Sequence, residues 1–354
     1  MNHRVYSLLK SVYKSGPSCV RWAMDRVRFR SSLRKALKDF LAEDELSDRR
    51  VVRDLEKDIR ACRDRYQTTP QEYFLFGFRG MSDELRDTFL SDALRTRALL
   101  KRVPQDVFQH DLRNKYNLYQ SSGRFFKRGV FFFSKEGTDR SAFVSFALQY
   151  KHLFLKRNDS SKGRGILSED ILDEASACRL FDRLSQDGDS WIVEEKIRQA
   201  EEMAVWNPSS VNTLRLPCIL YQGKFTVLGP FFRTGRKGSI VDNAGAGGVF
   251  ACVDAATGML NSDGVDEKGR YYEKHPDSGL AFKGWQIPRW DEAVALAEEI
   301  QRTMPQEVYV GWDLALTPDG WVLVEGNWGQ FVSQYNDKKG LKHEFLMLLG
   351  FEHK

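Results

Sequence analysis

The spacing of apolar residues changes along the chain, from helical in the front part to strand-like beyond it. In residues 1–100, apolar positions recur every three or four residues. One such stripe consists of Val5, Leu8, Leu9 and Val12. Residues 31–63 contain neither glycine nor proline and are rich in good helix formers. The pattern therefore predicts a helical front region.

Short apolar runs of strand length begin near Val130. They are residues 131–133, 152–156, 191–197, 214–221, 224–232, 308–316 and 321–325. Gln222-Gly223 and the Thr-Pro-Asp-Gly sequence at 317–320 would turn two pairs of these runs into hairpins. Pro217 predicts an edge strand, and Asp291 predicts a helix that it caps. The pattern predicts an α+β body with mostly antiparallel pairing.

The composition is typical of a globular protein, with 42% hydrophobic and 29% charged residues. No run approaches the roughly 20 apolar residues that a membrane-spanning helix needs. The five cysteines form no CxxC pair, which indicates reduced thiols and a cytoplasmic location.

The positive charge is concentrated at the front of the chain. Residues 1–40 contain ten Lys or Arg and two Asp, a net charge of +8, whereas the whole chain carries +5. The body is therefore net negative, which argues against nucleic acid as a partner. Two interpretations of the basic front stay open. It either makes peripheral contact with the anionic inner membrane face or packs as a helix on the body.

The last predicted hairpin carries the most informative polar residues. Asp313 lies in its first strand, and Glu325 and Asn327 lie at the end of its second. A tight turn places Asp313 opposite Glu325 if both share a face. Two carboxylates and an amide oxygen are ligands that Mg²⁺ prefers. The alternative is a strand end with ordinary surface acids.

A second candidate site follows the predicted strand that ends on Lys156. The chain there enters a loop with several cations and two glycines, Gly163 and Gly165. Glycines let backbone N–H groups approach phosphate, and a lysine neutralises phosphoryl oxygens. The spacing is not that of a Walker loop, and a solvated surface loop is the alternative.

A third candidate is the segment Glu194-Glu195-Lys196-Ile197, where an apolar strand runs into charge. Such a segment can present backbone donors and acceptors to an adenine edge, with Glu201 downstream for the ribose hydroxyls. An edge strand leaving the core has the same pattern.

In combination, these segments resemble the sugar-transfer associated ATP-grasp family of the ATP-grasp ligase superfamily. The resemblance covers about residues 110–350. It depends on the order of four features: the strand that ends on Lys156, the loop with Gly163 and Gly165, the segment 194–197, which we call the hinge segment, and the paired acids Asp313 and Glu325. Its further segments are 210–215 (SVNTLR), 232–235 (FRTG), 241–248 (VDNAGAGG), 275–277 (HPD), 311–313 (GWD) and 325–327 (EGN). It implies an α+β ATP-grasp fold preceded by a helical N-terminal region. We expect that region over 1–105 and the body over 106–350, with the nucleotide loop in 106–200 and the metal and substrate lobe in 201–350.

The resemblance also implies roles for individual residues. The expected nucleotide-binding residues are Lys115, Lys156, Ser160, Ser161, Lys162, Gly163, Gly165, Glu194, Glu195, Lys196, Ile197 and Glu201. Within this set Lys156 would contact the phosphates of ATP, and Lys115 is a candidate for the other nucleotide-binding lysine. Residues 160–165 would form a mobile loop over the phosphates. The expected Mg²⁺ ligands are Asp313, Glu325 and Asn327.

One position departs from the family pattern. Gly311 stands where many related ligases have an arginine, so the cation that stabilises the transition state must come from elsewhere. Arg215 and Arg233 are our candidates, although either could be a surface ion pair. The expected substrate contacts are Asn212, Asp242, Asn243 and His275. Asp242 and Asn243 begin a second glycine-rich loop, for which a plain mobile loop is the alternative. The alternative for His275 is a loop histidine without a function.

The resulting prediction is an ATP- and Mg²⁺-dependent carboxylate–amine ligase that acts through an acyl phosphate. The family context implies that it joins an amino acid or another small carboxylate to an amino sugar in surface polysaccharide biosynthesis. Three alternatives remain: a kinase that phosphorylates a hydroxyl from the same nucleotide site, a nucleic-acid binder, and a non-catalytic scaffold.

Overall fold

The computed structural model describes residues 18–103, 112, 114–158, 165–242, 247–328 and 333–351. The chain forms two compact units that divide between Arg95 and Thr96. Among the helices described, none has the length and apolar character needed to cross a membrane.

The first unit is helical. Its helices are α1 (Ser18–Phe40), α2 (Glu43–Ser47), α3 (Arg49–Tyr66), α4 (Pro70–Phe76) and α5 (Asp83–Arg86). The Asp48 side chain starts α3 by accepting from two backbone N–H groups, and Thr69 starts α4 through a capping box with Glu72. The predicted helical front is confirmed from Ser18 onward, whereas the stripe at residues 5–12 lies outside the described residues.

Helix α1 has one buried apolar face and one basic face. Its buried residues are Phe29, Leu33, Ala36 and Leu37. This spacing places them on one side of the helix, which packs against α4. Its exposed basic residues are Arg28, Arg30, Arg34, Lys35 and Lys38. The apolar face of α1 is therefore used within its own unit.

Helix α6 (Asp92–Leu100) spans the division, and the second unit then alternates helices with two sheets. Its next elements are α7 (Lys115–Ser122), β1 (Val130–Phe133), α8 (Arg140–Tyr150), β2 (His152–Arg157), β3 (Ile166–Asp170), α9 (Glu174–Asp187), β4 (Trp191–Glu195) and α10 (Glu201–Ala204). The four strands form a small antiparallel sheet in the order β1-β4-β2-β3. Phe143 of α8 and Leu180 of α9 share one apolar core with Leu155 of β2.

The larger sheet follows. Its strands are β5 (Thr213–Tyr221), β6 (Lys224–Val227), β7 (Phe231–Thr234), β8 (Val249–Cys252), β9 (Gly264–Val265), β10 (Tyr271–Tyr272), β11 (Tyr309–Thr317) and β12 (Gly320–Asn327). Their order is β10-β9-β8-β7-β5-β11-β12, with β6 also paired to β5. Helix α11 (Trp290–Thr303) precedes β11, and α12 (Ser333–Asn336) and α13 (Lys342–Leu348) end the described chain. The predicted α+β body with mostly antiparallel pairing is confirmed.

Pro217 lies in a central strand, so its prediction as an edge-strand residue is wrong. Strand β5 pairs with β11 on one side. On the other side it pairs with β7 up to Arg215 and with β6 from Cys218 onward. Pro217 falls between these two partners, and its carbonyl accepts from the N–H of Leu228 on that side, at 2.9 Å. Proline has no N–H to donate, but neither β6 nor β7 pairs with this residue, so no hydrogen bond of the sheet is lost.

Two smaller predictions also need correction. The single strand expected over 224–232 is two strands, β6 and β7, because Gly229 adopts a φ of +62° and Pro230 cannot donate to a ladder. Asp291 lies in the first turn of α11, whose N-cap is Arg289. An acid in the first turn still favours that helix end through the helix dipole.

Candidate active site

A cavity of about 700 Å³ is lined by residues from both sheets of the second unit. The small sheet contributes Phe154, Lys156, Ile166, Ser168 and Glu194, and the large sheet contributes Thr213, Arg215, Arg233, Asp313, Glu325 and Asn327. The fold thus collects charged side chains that lie far apart in the sequence. Two buried ion clusters account for most of them.

The first cluster, which we call the Lys156 cluster, consists of Lys156, Glu194 and Arg128. The Lys156 Nζ lies 3.0 and 3.1 Å from the two carboxylate oxygens of Glu194, and the Arg128 Nη2 lies 2.8 Å from Oε2. All three side chains are nearly buried. Burial alone would raise the pKa of Glu194, but the two cations outweigh it and hold that pKa below its ordinary value. With Glu194 ionised, the formal net charge of the three side chains is +1.

The hinge segment begins within this cluster. Glu194, Glu195, Lys196 and Ile197 all line the cavity. The Glu195 carboxylate accepts from the N–H of Gly129 at 3.0 Å, and the N–H of Lys196 donates to the carbonyl of His152 at 2.8 Å. These contacts fix the backbone of the segment where it leaves β4. Glu201 lies in the first turn of α10, exposed, and does not line the cavity.

Lys115 approaches the cavity from a different element. It is the first residue of α7, which Asn114 caps. Asn158, directly after β2, also accepts from the N–H of Tyr116 at 3.0 Å, and so ties the start of this helix to the end of the lysine strand. The Lys115 Nζ lies 3.8 Å from Oε1 of Glu325. Lys115 is therefore a cavity lysine that lies close to Glu325, one of the predicted metal ligands.

The predicted hairpin places its two acids side by side. Thr317 pairs with Gly320, which leaves a two-residue loop, and Asp313 pairs directly with Glu325. A bulge between Asp313 and Leu314 interrupts the ladder beside them. Asp313 is buried, whereas the Glu325 side chain is 37% exposed. The predicted juxtaposition of Asp313 and Glu325 is present.

Asp313 belongs to the second cluster, which we call the Asp313 cluster: Asp313, Asn327, Arg215, Arg233 and Asp242. Arg215 donates through Nε and Nη2 to both carboxylate oxygens of Asp313, and through Nη1 to Oδ1 of Asn327 at 2.9 Å. Arg233 donates to Asp313 at 3.0 Å and to Asp242 at 2.6 Å. Burial opposes ionisation of Asp313, but the two guanidinium groups hold its pKa below the ordinary value.

Asp242 shows the opposite balance. Its carboxylate is buried and accepts from Arg233 and from the hydroxyl of Thr213. Burial nevertheless dominates and raises the pKa of Asp242 above its ordinary value. Because both Asp242 and Asp313 bond to Arg233, that guanidinium is anchored on two sides.

Comparison with protein families assigns this architecture. The model of the family described as sugar-transfer associated ATP-grasp matches residues 130–347. The chain belongs to this family. It is therefore an ATP-grasp protein, and the expected ATP-grasp fold with a helical N-terminal region is confirmed. Comparison with the curated proteins gives no match.

Several solved structures are similar in fold at low identity. They are D-alanyl-alanine synthetase A from Vibrio cholerae (13% identity, TM-score 0.41, 68% of this chain and 64% of that one), D-alanine–D-alanine ligase from Bacillus anthracis (11%, 0.39, 68% and 66%) and a D-cycloserine synthetase (10%, 0.44, 80% and 81%). The chain thus spans slightly less than two thirds of the first two enzymes.

The donor set of this ATP-grasp site fits a magnesium ion. Asp313, Glu325 and Asn327 offer only hard oxygen ligands, on two adjacent strands. Among the residues that the structure describes, no group of three or more His, Cys, Asp or Glu side chains is placed to hold a metal. A magnesium ion on these three residues would therefore need oxygen atoms from substrate phosphates or water to complete its shell.

Part of the predicted nucleotide loop lies outside the described residues, namely Ser160, Ser161, Lys162 and Gly163; so does Asn243 of the second glycine-rich loop. Gly165 is described, with a φ of +66°. A Cβ there would lie 2.6 Å from Cδ of Arg157. The position therefore accommodates only glycine in this conformation.

Two of the expected substrate contacts do not line the cavity. Asn212 is buried, and its Nδ2 donates to the carbonyls of Met203 and Asn207, both at 2.9 Å. His275 is also buried, with Nε2 3.0 Å from the carbonyl of Gly235. Burial lowers the pKa of His275, which favours its neutral form. Asn212 thus ties the start of β5 to α10 and the chain that follows it, and His275 ties its own loop to the end of β7.

Sequence reasoning missed Arg128, Thr213 and Trp328. Arg128 completes the Lys156 cluster, Thr213 holds Asp242, and Trp328 lines the cavity directly after Asn327. One signal for Arg128 was available: Glu194 in an apolar strand needs cationic partners, and a basic pair precedes β1. Nothing local in the sequence distinguishes Thr213 or Trp328 from core residues.

Proposed function

We propose that this ATP-grasp protein is an ATP- and Mg²⁺-dependent carboxylate–amine ligase that acts through an acyl phosphate. One observation carries the proposal: a single cavity of about 700 Å³ is lined both by lysine side chains and by carboxylate and amide oxygens. Lys156 and Lys115 supply positive charge for phosphate groups, and Asp313, Glu325 and Asn327 supply oxygens for a cation. A cavity of this size has room for a nucleotide beside a second small substrate.

The reaction needs positioning and charge neutralisation more than a nucleophilic side chain. In the first step, an oxygen of the substrate carboxylate bonds to the γ-phosphorus of ATP while the bond to ADP breaks. In the second, the amine bonds to the acyl carbon and loses a proton, and inorganic phosphate leaves. The products are ADP, phosphate and an amide.

The residues divide these tasks. Lys156, oriented by Glu194, and Lys115 neutralise phosphate oxygens. Arg215 and Arg233 stabilise the charge that develops on the transferred phosphoryl group, the role that Gly311 cannot fill. Magnesium, when bound, would neutralise further phosphate charge at Asp313, Glu325 and Asn327.

For the substrates, we propose an amino acid or another small carboxylate as donor and an amino sugar of a surface polysaccharide as acceptor. The support is the description of the family, which associates these ATP-grasp proteins with sugar transfer. The proposed location is the cytoplasm, with peripheral contact between residues 1–40 and an anionic membrane as a further hypothesis.

An ADP-release screen of amino acids crossed with amino sugars tests the proposal. We expect release only when a carboxylate and an amine are both present, with an amide identified by mass spectrometry. Asp313→Asn should abolish the release, and Asp319→Asn, in the exposed turn of the same hairpin, should not. A stable phosphorylated hydroxyl in place of the amide would support a kinase instead.

A further inference from the structure

The guanidinium of Arg215 occupies the oxygens that a metal would need. It donates to both carboxylate oxygens of Asp313 and to the amide oxygen of Asn327. Two of the three proposed ligands are therefore engaged by one cation. The third, Glu325, keeps its carboxylate partly exposed, with Lys115 at 3.8 Å.

This placement is built into the strands. Arg215 is the direct register neighbour of Asp313 across β5 and β11. Gly311, two residues before Asp313, provides the room, because a Cβ there would lie 3.1 Å from Cδ of Arg215 and 3.8 Å from its Nε. The arginine side chain thus crosses the face of β11 at the position where that strand has no side chain.

A metal ion and this guanidinium compete for the same oxygens. Magnesium binds oxygen at about 2.1 Å and requires nearly octahedral geometry, which leaves no space for a guanidinium in the same coordination shell. Two cations that close also repel each other strongly in a buried site. Metal binding at Asp313 and Asn327 therefore requires Arg215 to move away from them.

The two arginines differ in their freedom to move. Both arginines line the cavity and both are nearly buried, with 13% of the Arg215 side chain and 11% of the Arg233 side chain exposed. Arg233 is anchored by Asp242 as well as Asp313. Among the described residues, Arg215 donates hydrogen bonds only to Asp313 and Asn327, which are proposed metal ligands themselves. A bound triphosphate would offer Arg215 new acceptors, since a guanidinium fork matches phosphate oxygens well, and would also complete the metal shell.

We propose that Arg215 takes the place of the metal in the nucleotide-free enzyme and releases Asp313 and Asn327 only when metal and nucleotide phosphates arrive together. Divalent metal alone is then excluded from the site, and the displaced guanidinium moves onto the phosphates. The inference rests on the proposed function in assigning metal to Asp313, Glu325 and Asn327.

The test measures binding of Mn²⁺, as a paramagnetic substitute for Mg²⁺, to the nucleotide-free full chain by electron paramagnetic resonance. Wild type should bind weakly, and Arg215→Ala should bind at least about tenfold more tightly, since one opposed charge a few ångströms away is removed. Gly311→Ala keeps all charges and brings a Cβ to 3.1 Å from Cδ of Arg215, so it should shift affinity in the same direction by a smaller factor. Adding ADP should tighten binding to wild type far more than to Arg215→Ala.

Arg198→Ala is the matched control. Arg198 is exposed and lines the same cavity, so its loss removes the same charge without freeing Asp313. Its Mn²⁺ affinity should stay close to that of wild type. Equal tightening in Arg198→Ala and Arg215→Ala would reduce the effect to general electrostatics and overturn the proposal.

Three other outcomes would also overturn it: tight Mn²⁺ binding by nucleotide-free wild type, weaker binding by Arg215→Ala, or no binding by either protein. Thermal melting checks that each variant folds, and Gly311→Ala carries the test alone if Arg215→Ala does not. Failure of the ligase proposal has a different signature, namely absent nucleotide binding or absent amide product. The nucleotide-free metal comparison does not depend on either.

Discussion

The Lys156 cluster and the Asp313 cluster are both buried networks of ion pairs on the same cavity, yet they are built in opposite ways. In the first, one carboxylate, Glu194, lies between two cations. In the second, two carboxylates alternate with two arginines, and Asn327 and the neighbouring Glu325 add further acceptor oxygens. One cluster keeps a net positive charge, and the other, counted with Glu325, has an excess of oxygen acceptors.

The difference shows how one cavity can serve two kinds of ligand. Buried charges are tolerated only when they are paired, so each cluster satisfies itself in the absence of substrate. The Lys156 cluster has positive charge left over, which suits phosphate. The Asp313 cluster has oxygens that an incoming cation can use, provided that Arg215 gives them up.

The largest expected effect is on ligase turnover, when a proposed metal ligand is replaced. Glu325→Gln should lower ligase turnover by at least about 100-fold, because loss of a ligand costs more than loss of the outer partners of a ligand. Its stability should change by less than about 1 kcal/mol, since the Glu325 side chain is 37% exposed and its ion pair with Lys115 is long. Steady-state kinetics and urea unfolding measure the two quantities.

Asp313→Asn sharpens the comparison. It should lower turnover as much as Glu325→Gln does. It should also lower the free energy of unfolding by about 3 kcal/mol, because two buried guanidinium groups lose their shared carboxylate. Asp319→Asn in the exposed turn is the control for both variants. Near wild-type turnover in Glu325→Gln would mean that the metal ligands are assigned wrongly.

The next effect concerns the Lys156 cluster. Glu194→Gln should destabilise the protein by about 3–5 kcal/mol, because it leaves Lys156 and Arg128 buried without a carboxylate. Glu195→Gln, one residue further, keeps an oxygen for the N–H of Gly129 and should stay within about 0.5 kcal/mol. Equal unfolding midpoints in urea for the two variants would show that the cluster contributes no stability.

The pH dependence of stability should differ between the acids. Glu194 has a pKa lowered from 4.5 in the folded state, so its contribution is present above pH 4.5 and is lost as the pH falls. Asp242 has a pKa raised from 3.8, so its contribution is present below pH 3.8 and is lost as the pH rises. In urea unfolding from about pH 3 to 6, Glu194→Gln should flatten the rise in stability with pH at the acid end, and Asp242→Asn should steepen the rise above about pH 4. Parallel profiles for both variants and wild type would contradict these shifts.

The smallest effect concerns the first unit. If the basic front contacts a membrane, the full chain should co-sediment with phosphatidylserine vesicles at low salt and dissociate as salt rises. Replacing the exposed Arg30 and Arg34 by Gln should weaken binding about tenfold or more, at about 1 kcal/mol for each charge. Removing residues 1–40 is not a usable variant, because α1 buries Phe29, Leu33 and neighbours. No sedimentation of the full chain would leave the alternative, a helix packed on the body.

Much of the fold could be predicted because its signals are local. Apolar runs, the 317–320 turn and the helical spacing of the front region appear as the corresponding elements. The failures were non-local. The place of Pro217 in a central strand depends on β6 and β7 meeting beside it, and the sequence of β5 carries no sign of that meeting.

The candidate site shows the same division. Asp313 and Glu325 were predicted to face each other because a two-residue loop fixes the register of the hairpin. The sequence identified Arg215, Arg233 and Asp242 as candidates but not their shared network, because they come from different strands and loops. Arg128 was missed because its partner Glu194 lies 66 residues away. Asn212 and His275 lie in recognisable segments, yet their side chains bond to backbone carbonyls and do not line the cavity.

The most direct test of the proposed chemistry follows oxygen from the substrate carboxylate. Acyl phosphate formation transfers one carboxylate oxygen to the phosphoryl group, and the amine then displaces it as phosphate. With ¹⁸O in the carboxylate of a substrate found by the ADP-release screen, we expect one labelled oxygen in each released phosphate, measured by mass spectrometry. Label that stays entirely in the organic product, together with a phosphorylated hydroxyl, would contradict ligation and indicate a kinase.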